Sequence, residues 1–544
     1  MLGGGQLNLA VSVRLNKLKT NMFGHREEHS GLKGSFLTLL SGLFHVLLFP
    51  QFSYSFLAWF ALVPLFLALN RKKLFSSFLL GMLFGMISFL GILHWLYPTV
   101  IHYFQRPPLF GALFLLLGIL LPAGIIYGLF ALSYSYIHLR AKKICWVAIP
   151  SLWVSVEWLR SHPLTGIPPW ELLGHSQYEI LPLIQISDIT GVYGISFMIV
   201  AVNYLLARIM IHSLETKRFK FAEVIDFQFI FTSILLSIFL LYGYHRINSF
   251  KSPYIGKTLH VSVIQGNIKS RYRWKNIYYG RNLGKYLKMT NEALKNQTDL
   301  IVWPENAVDF YLERESYYLT LIQNLLTQTN AYLVLGGPRY EEREEKDKAF
   351  YNSSYLFSPI SGISGVYDKI RLLPMSEYNP LEMINLYNAA TRFPSKFSPG
   401  DKLSVFEIPK GKFSITICYE IIYPDLIRKF VNRGAQFLIN LSNDSWLGSG
   451  PGPYQHLSIA LFRAVENRTY LVRATSTGIS AIIDPLGRII RASSLFESSI
   501  LQEDIRLKTE TTLYTEWGEL FAYLCILTTL ISLIYSVCLK RNSE

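Results

Sequence analysis

The stretch FSITICYEIIYPDL, residues 413–426, reads as a short apolar strand ending on a cysteine, Cys418, just ahead of a helix that opens near residue 424. Two other apolar runs close on a potentially reactive side chain in the same way: Glu305 ends IVWPE (301–305) and Lys369 ends GVYDK (365–369). Open α/β folds gather their sites at strand ends, so three residues far apart in sequence can converge there. Singly, each is weak. A lone Glu or Lys after a strand is usually a solvated loop residue, and a Cys after an apolar run is usually inert core. Jointly they make chemical sense. A thiol near neutral pH is mostly protonated and needs a base, while an ammonium favours the thiolate and can stabilise an oxyanion. Glu305 supplies the base, Lys369 the cation and Cys418 the nucleophile. No metal-ligand spacing or phosphate-cradling glycine loop competes. His456 stands alone on an expected helix and reads as a packing or surface residue rather than a partner of the nucleophile.

Around these residues, 258–510 alternates strand-like runs with amphipathic stretches, as in an α/β protein. Strands are expected at 260–265, 300–303, 332–336, 365–368, 414–417, 437–441 and 479–484, and helices at 280–296, 315–329, 424–433 and 454–468, with Gly, Pro and Asn in the gaps.

The rest of the chain is different. Only 16% of the 544 residues are charged and 15% are aromatic, and mean hydropathy is positive, which points to a part that lives in lipid. Apolar segments of roughly 17 to 25 residues fall near 34–50, 52–69, 74–97, 109–136, 144–159, 180–211, 228–245 and 519–539, about eight spans. The fifth is short, and the fourth and sixth are overlong, with kinks expected at Pro122 and Gly191. Basic residues fall in every second loop. Arg14, Lys17, Lys19, Arg26 and Lys33 precede the first span, and Arg71, Lys72 and Lys73 follow the second. Arg140, Lys142 and Lys143 follow the fourth, Lys217, Arg218 and Lys220 the sixth, and Lys540 and Arg541 the eighth. Such alternation puts both termini in the cytoplasm and 246–518 outside. The expected order is a basic segment 1–33, seven spans over 34–245, a catalytic domain over 246–518, an eighth span 519–539 and a tail 540–544. No cleavable signal is evident, and the first 20 or so residues read as disordered, with Met22 a second candidate start.

The net charge of +15 does not indicate nucleic acid, because the Lys and Arg residues sit in short runs beside apolar segments rather than in one aromatic-interleaved patch. The four cysteines, Cys145, Cys418, Cys525 and Cys538, show neither a disulfide framework nor zinc spacing.

Beyond the triad, VIQGNI (263–268), VWPENA (302–307), YNSS (351–354), YDKIRLLPMSEYNPLE (367–382), ICYEIIYPDL (417–426) and the run from SNDSW at 442 to PLGR at 488 resemble the nitrilase, or carbon-nitrogen hydrolase, superfamily. Within it, and with EWLRSHPLTGIPPWELLGHSQ (157–177) in the membrane part, the chain is similar to the apolipoprotein N-acyltransferase family from about residue 35 onward. The resemblance implies an α-β-β-α sandwich whose site faces the bilayer of the bacterial inner membrane, on the periplasmic side. It also implies a ping-pong reaction without a cofactor. An acyl chain passes from a phospholipid, typically phosphatidylethanolamine, to the cysteine and then to the free α-amino group of a diacylglyceryl-modified apolipoprotein. Glu305, Lys369 and Cys418 match the triad; Glu377, Tyr419 and Glu420 match further required positions, and Trp274 and Asn352 supporting ones. One departure stands out: Pro374, Met375, Ser376 and Glu377 occupy the place of the family's usual PFGE.

Two other readings compete. A membrane-anchored amidase or nitrilase would use the same triad but admit water to the thioester. A transporter or scaffold with an inactive domain would carry charges deep inside the spans, where few occur. Glu157 and Arg160, near the outer end of the fifth span, leave pairing and headgroup contact both open. GIPPW (166–170) reads equally as a rigid connector with an interfacial Trp and as a lipid entry.

Overall fold

The computed structural model describes residues 32–162, 168–217, 225–250, 258–269, 272–342, 348–378, 397–507 and 510–541. The basic segment before residue 32, Arg218, Lys220, Gly166 and Ile167 lie outside the described residues, as does 379–396.

Five helices are long and apolar enough to cross a bilayer: Leu74–Leu93, Pro108–Arg140, Val192–Thr216, Phe227–Ser249 and Leu520–Leu539. Leu32–Leu47 and Ser55–Leu69 are apolar but shorter, and Cys145–Arg160 has 16 residues. The apolar run 180–211 is not one helix. It divides into Leu181–Ile184, Ser187–Thr190 and Val192–Thr216, and the break falls at Gly191, whose φ of 63° suits glycine. A Cβ there would also lie 2.8 Å from the Tyr514 ring. Pro122, by contrast, does not break its helix. A π-helical stretch, Phe114–Leu120, leads into it, so the wider turns accommodate the missing N–H while the rod stays continuous.

Glycines let two of these rods meet at backbone distance. A Cβ on Gly81 would stand 2.3 Å from the Tyr127 carbonyl oxygen, and one on Gly85 2.7 Å from that of Ala123. Lipid gives apolar side chains little drive to associate, so close backbone packing of this kind holds helices together.

The second part is a pair of six-stranded sheets. Strands β1 (Thr258–Gln265), β2 (Leu300–Val302), β3 (Tyr332–Glu342), β4 (Lys348–Ser358), β5 (Gly362–Asp368) and, at the far end of the chain, β12 (Ser499–Arg506) form one sheet in the order β12-β1-β2-β3-β4-β5. The other runs β11-β10-β9-β8-β7-β6, from Phe406–Ile408 (β6), Gly411–Ile417 (β7), Phe437–Ser442 (β8), Tyr470–Thr475 (β9), Ala481–Ile483 (β10) and Ile489–Ala492 (β11). The parallel pairs, β1-β2-β3 and β7-β8-β9, are those joined by helical crossovers, as parallel connections require. Tyr279–Ala293 and Ser316–Thr327 cover the first sheet; Pro424–Asn432 and Gly452–Asn467 cover the second. Val263, Val302 and Val334 of one sheet share a core with Ile415, Ile417 and Leu441 of the other, giving an α-β-β-α sandwich.

Gly452–Asn467 is buried at every residue but Tyr454, because the bundle lies on its other side. Gln455 Oε1 accepts from Trp95 Nε1 (3.0 Å) and Trp170 Nε1 (2.8 Å), and its Nε2 donates to the carbonyls of Pro50 and Ile92 (3.1 Å each). Arg468 pairs with Asp188 at 2.8 Å. Trp170, 2% exposed, is thus an internal connector residue rather than an interfacial anchor. Glu157 and Arg160 are also internal. Arg160 donates to the carbonyls of Trp170 (2.8 Å) and Glu171 (3.1 Å), and Glu157 accepts from Trp153 Nε1 (3.0 Å) and Leu173 N (2.7 Å), so both are held by hydrogen bonds inside the protein rather than by lipid headgroups.

Candidate active site

Strand β7 ends at Ile417, and the chain turns abruptly so that Cys418 has φ 53°, a left-handed conformation that a non-glycine residue adopts at a cost of about 1–3 kcal/mol. Glu420 holds this turn. Its Oε2 accepts from Ile417 N (2.7 Å), while its Oε1 accepts from Ile370 N (2.7 Å), Arg371 N (3.0 Å) and Tyr367 Oη (2.8 Å). One buried carboxylate therefore ties the end of β7 to the segment leaving β5, and so fixes Cys418 relative to Lys369. Burial nonetheless pushes the Glu420 pKa above the ordinary value, the backbone donors and Lys369 opposing it.

Glu305 reaches the same place from the end of β2. Gly336 makes room for it: a Cβ there would lie 2.7 Å from the Glu305 Cα. Asn352, on β4, bridges two acids, its Nδ2 donating to Glu305 Oε1 and Glu377 Oε1 at 2.7 Å each. Lys369 Nζ donates to Glu377 Oε1 at 2.9 Å and stands 3.9 Å from Glu305 Oε1. Glu377 Oε2 accepts from Leu373 N at 2.7 Å, anchoring the loop that carries the Met375–Ser376 departure.

These groups are buried, and their titration follows. Burial raises the Cys418 thiol well above its ordinary range; Glu305 raises it further and Lys369 only partly offsets this. Burial also raises Glu305, against the pull of Lys369, and Glu377 adds to the rise. For Lys369 burial alone favours the neutral amine, but Glu377 and Glu305 together outweigh it and hold the ammonium. The resting site thus sets a protonated thiol beside Glu305 and a fixed cation, an arrangement that can serve as nucleophile and base acting together.

The triad opens on a cavity of about 1050 Å³. Both parts of the chain line it. The catalytic domain contributes Asn352, Glu377, Phe350, Met375 and Trp446, and the bundle contributes His102 to Arg106 from the turn after Leu74–Leu93. Thr99 Oγ1 donates to the Trp446 carbonyl at 2.8 Å and pins that turn to the domain. Trp274, half-exposed and at φ 58°, stands at the rim. Tyr419 points elsewhere: it packs edge-on against Tyr423 and lines a second cavity of about 380 Å³ with Arg371 and Pro168.

Behind Cys418 lies a polar cluster that the sequence reading did not find. Arg473 pairs with Asp444 at 2.7 Å and donates to Asn440, whose Nδ2 donates to the Cys418 carbonyl at 3.4 Å. His456 belongs to it, fully buried, with Nδ1 3.1 Å from Asp444. Its Nε2 lies toward the Cys418 backbone but outside hydrogen-bond geometry. It is therefore a buried hydrogen-bonding member of this cluster and not a surface residue. Burial opposes the Asp444 charge, yet Arg473 and His456 prevail and hold its carboxyl below the usual range. The sequence signal for it is SNDSW, which places an acid just past the strand 437–442.

Residues 260–514 match the carbon-nitrogen hydrolase family, and residues 41–205 match the apolipoprotein N-acyltransferase N-terminal domain. The chain is 35% identical over 499 residues to the apolipoprotein N-acyltransferase of Geobacter metallireducens, covering 90% of this chain and 92% of that one. It is 30% identical over 467 residues to that of Rickettsia prowazekii, covering 84% and 89%. A solved Saccharomyces cerevisiae member of branch 10 of the nitrilase superfamily is 22% identical, with a TM-score of 0.36, covering 46% of this chain and 90% of its own.

Proposed function

The chain belongs to the apolipoprotein N-acyltransferase family, and from that premise we propose that the cavity above Cys418 moves an acyl chain from a phospholipid to the N-terminal amine of a diacylglyceryl-cysteine apolipoprotein. It is a multi-pass membrane acyltransferase acting on lipoproteins. The observation that carries the mechanism is the shared cavity: a buried Cys418 with Glu305 and Lys369 opens where the bundle's 102–106 turn meets the catalytic domain, the position from which a lipid could be drawn.

In the first half-reaction Cys418 Sγ attacks the ester carbonyl as Glu305 takes the thiol proton. Lys369 stabilises the oxyanion. The intermediate collapses by breaking the carbon-oxygen ester bond, Glu305 returns the proton to the departing alkoxide, and a lysophospholipid leaves. In the second half the acceptor amine attacks the thioester, Glu305 accepts an amine proton, and the sulfur leaves and is reprotonated. Glu377 and Asn352 hold the cation and base in register, Glu420 ties Lys369 to Cys418, and Trp274 borders the substrate space, while Tyr419 lines the separate cavity beside it. The reading takes phosphatidylethanolamine as donor. It orients 246–518 to the periplasmic face of the bacterial inner membrane, held by eight spans over 34–245 and 519–539.

Purified protein given phospholipid alone should gain the mass of one acyl group, stable for minutes. A diacylglyceryl-cysteinyl peptide with a free amine should discharge it, and the N-acetylated peptide should not. Free fatty acid or ammonia accumulating equally with and without peptide would instead make the chain a hydrolase.

A further inference from the structure

A second polar cavity, of about 360 Å³, lies at the other end of the bundle. Leu74–Leu93 ends beside Trp95, which meets the catalytic domain through Gln455, so its start at Lys73 is the remote end. Leu121–Arg140 packs antiparallel to it, Ser135 bonding Ser77 at 2.7 Å, and Val192–Thr216 begins at Gly191 against Tyr514 of the domain side. The cavity is lined by Asn70 and Arg71, just ahead of the first of these helices, and by the far ends of the other two with the lysines that follow Arg140.

Its lining is rich in donors. Arg71 is neutralised by Glu215 at 2.9 Å and Arg208 by Asp226 at 2.9 Å, but among the described residues Lys142 and Lys143 make no ion pair. Exposed lysines alone would need no more explanation than the bias of basic residues toward one membrane face. Tyr134 is a separate matter. It lines the same cavity, is 1% exposed, stacks against Phe66 and His138, and its hydroxyl has no hydrogen-bond partner among the described residues. A buried hydroxyl without a partner costs free energy that a bound acceptor would recover. The group that suits two ammoniums without an ion pair and a hydroxyl without a partner among the described residues is an anion with several acceptor oxygens and no donors.

We propose that this cavity binds the phosphate of an anionic phospholipid from the leaflet opposite the catalytic domain. The site is distinct from the catalytic cavity, and it is a holding site rather than a reacting one. The membrane setting favours a lipid source, since apolar Ile211 and Ala207 line the cavity beside its cations.

The test uses full-length Cys418→Ala protein, so that no acyl transfer occurs, and counts lipids retained by native mass spectrometry after delipidation and addition of phosphatidylglycerol or phosphatidylcholine. Binding in the catalytic cavity is common to all arms. Phosphatidylglycerol retention should exceed that of phosphatidylcholine and fall about thirtyfold when Lys142→Gln and Lys143→Gln are added, each cation near an anionic lipid surface contributing about fivefold. Tyr134→Phe, which keeps the ring stack, should weaken retention with little change in melting temperature. Equal retention of both lipids, or no loss in the double lysine variant, overturns the proposal. Thermal protection by inorganic phosphate equal to that by phosphatidylglycerol overturns the lipid assignment, because the site would then take free phosphate.

Discussion

Replacing Asn352 by alanine should slow formation of the acyl-enzyme by about two orders of magnitude while leaving the protein folded. The amide's two hydrogen bonds, 2.7 Å each, end on two carboxylates that share it. Hydrogen bonds to charged groups contribute about 1.5–3 kcal/mol each, and these two act as one unit because Lys369 faces the same oxygens, so roughly 3 kcal/mol is the sum to expect. At about 1.4 kcal/mol per factor of ten that is on the order of a hundredfold. A change in pH dependence should accompany it. Burial already raises Glu305, and the Asn352 bond is one of the contacts that lowers it. Removing the bond raises the pKa further, and a base must be ionised to act, so the acid limb of the acylation rate moves to higher pH. The assay is single-turnover acylation from phospholipid followed by intact mass between about pH 5 and 9. Acylation within twofold of the parent, with an unmoved acid limb, would refute the claim that Asn352 holds the base.

Cys418→Ala should abolish the acyl-enzyme without lowering the melting temperature, since it removes a single sulfur atom from a strained position; residual mass gain would exclude the cysteine as nucleophile. Arg473→Met should cost about 3–5 kcal/mol of stability at neutral pH by taking the buried Asp444 charge away from its cation, with only His456 and Ser442 left against it. The Asp444 pKa is depressed in the folded protein, so its contribution is present above the ordinary carboxylate value of about 3.9 and is lost only as pH falls through the lower folded value; a parent already losing it near neutrality, seen in thermal melts against pH, would contradict this. Gly81→Val should destabilise the bundle by more than about 1–3 kcal/mol, because its Cβ meets backbone rather than a flexible side chain, and an unchanged half-life in detergent at elevated temperature would rule that contact out. Reporters fused after Arg71, Arg140 and Lys217 should read cytoplasmic and one after Arg246 external; a cytoplasmic reading after Arg246 would reverse the orientation.

Much of the catalytic domain was legible because its central strands are buried on both faces and so appear as unbroken apolar runs. The expected 414–417 and 437–441 fall within β7 and β8. Five strands lie outside the expected ranges, β4, β6, β9, β11 and β12, and three of them show why. β4 carries Asn352, Ser353 and Ser354 in its middle, and β11 is exposed throughout, so neither gives an apolar signal. β9 is fully buried but contains Arg473, a charge whose partner, Asp444, is 29 residues away and invisible to local pattern. In the membrane part, hydropathy located apolar segments but not their ends. It merged 180–190 with the helix that follows because Leu181 to Ile189 is nearly as apolar as a span, and only the left-handed Gly191 separates them.

The triad was legible for a different reason from the residues that support it. Glu305, Lys369 and Cys418 must each sit just past a strand, so their positions are written in local pattern. Their supports act across the fold. Glu420 carries no local signal of its own and enters the sequence reading only as a position the family resemblance requires, yet its bonds run to both strand ends that must be held in register. Asn440 and Arg473 look like core anomalies until the turn at Cys418 brings its carbonyl to them. A strained nucleophile needs surrounding contacts that over-determine it. Here those contacts come from β8, β9 and the segment after β5, which meet only in the folded domain. The same logic explains the cavity wall contributed by 102–106. Nothing in HYFQR announces a catalytic neighbour, and its placement depends on Thr99 reaching Trp446, a contact across 347 residues.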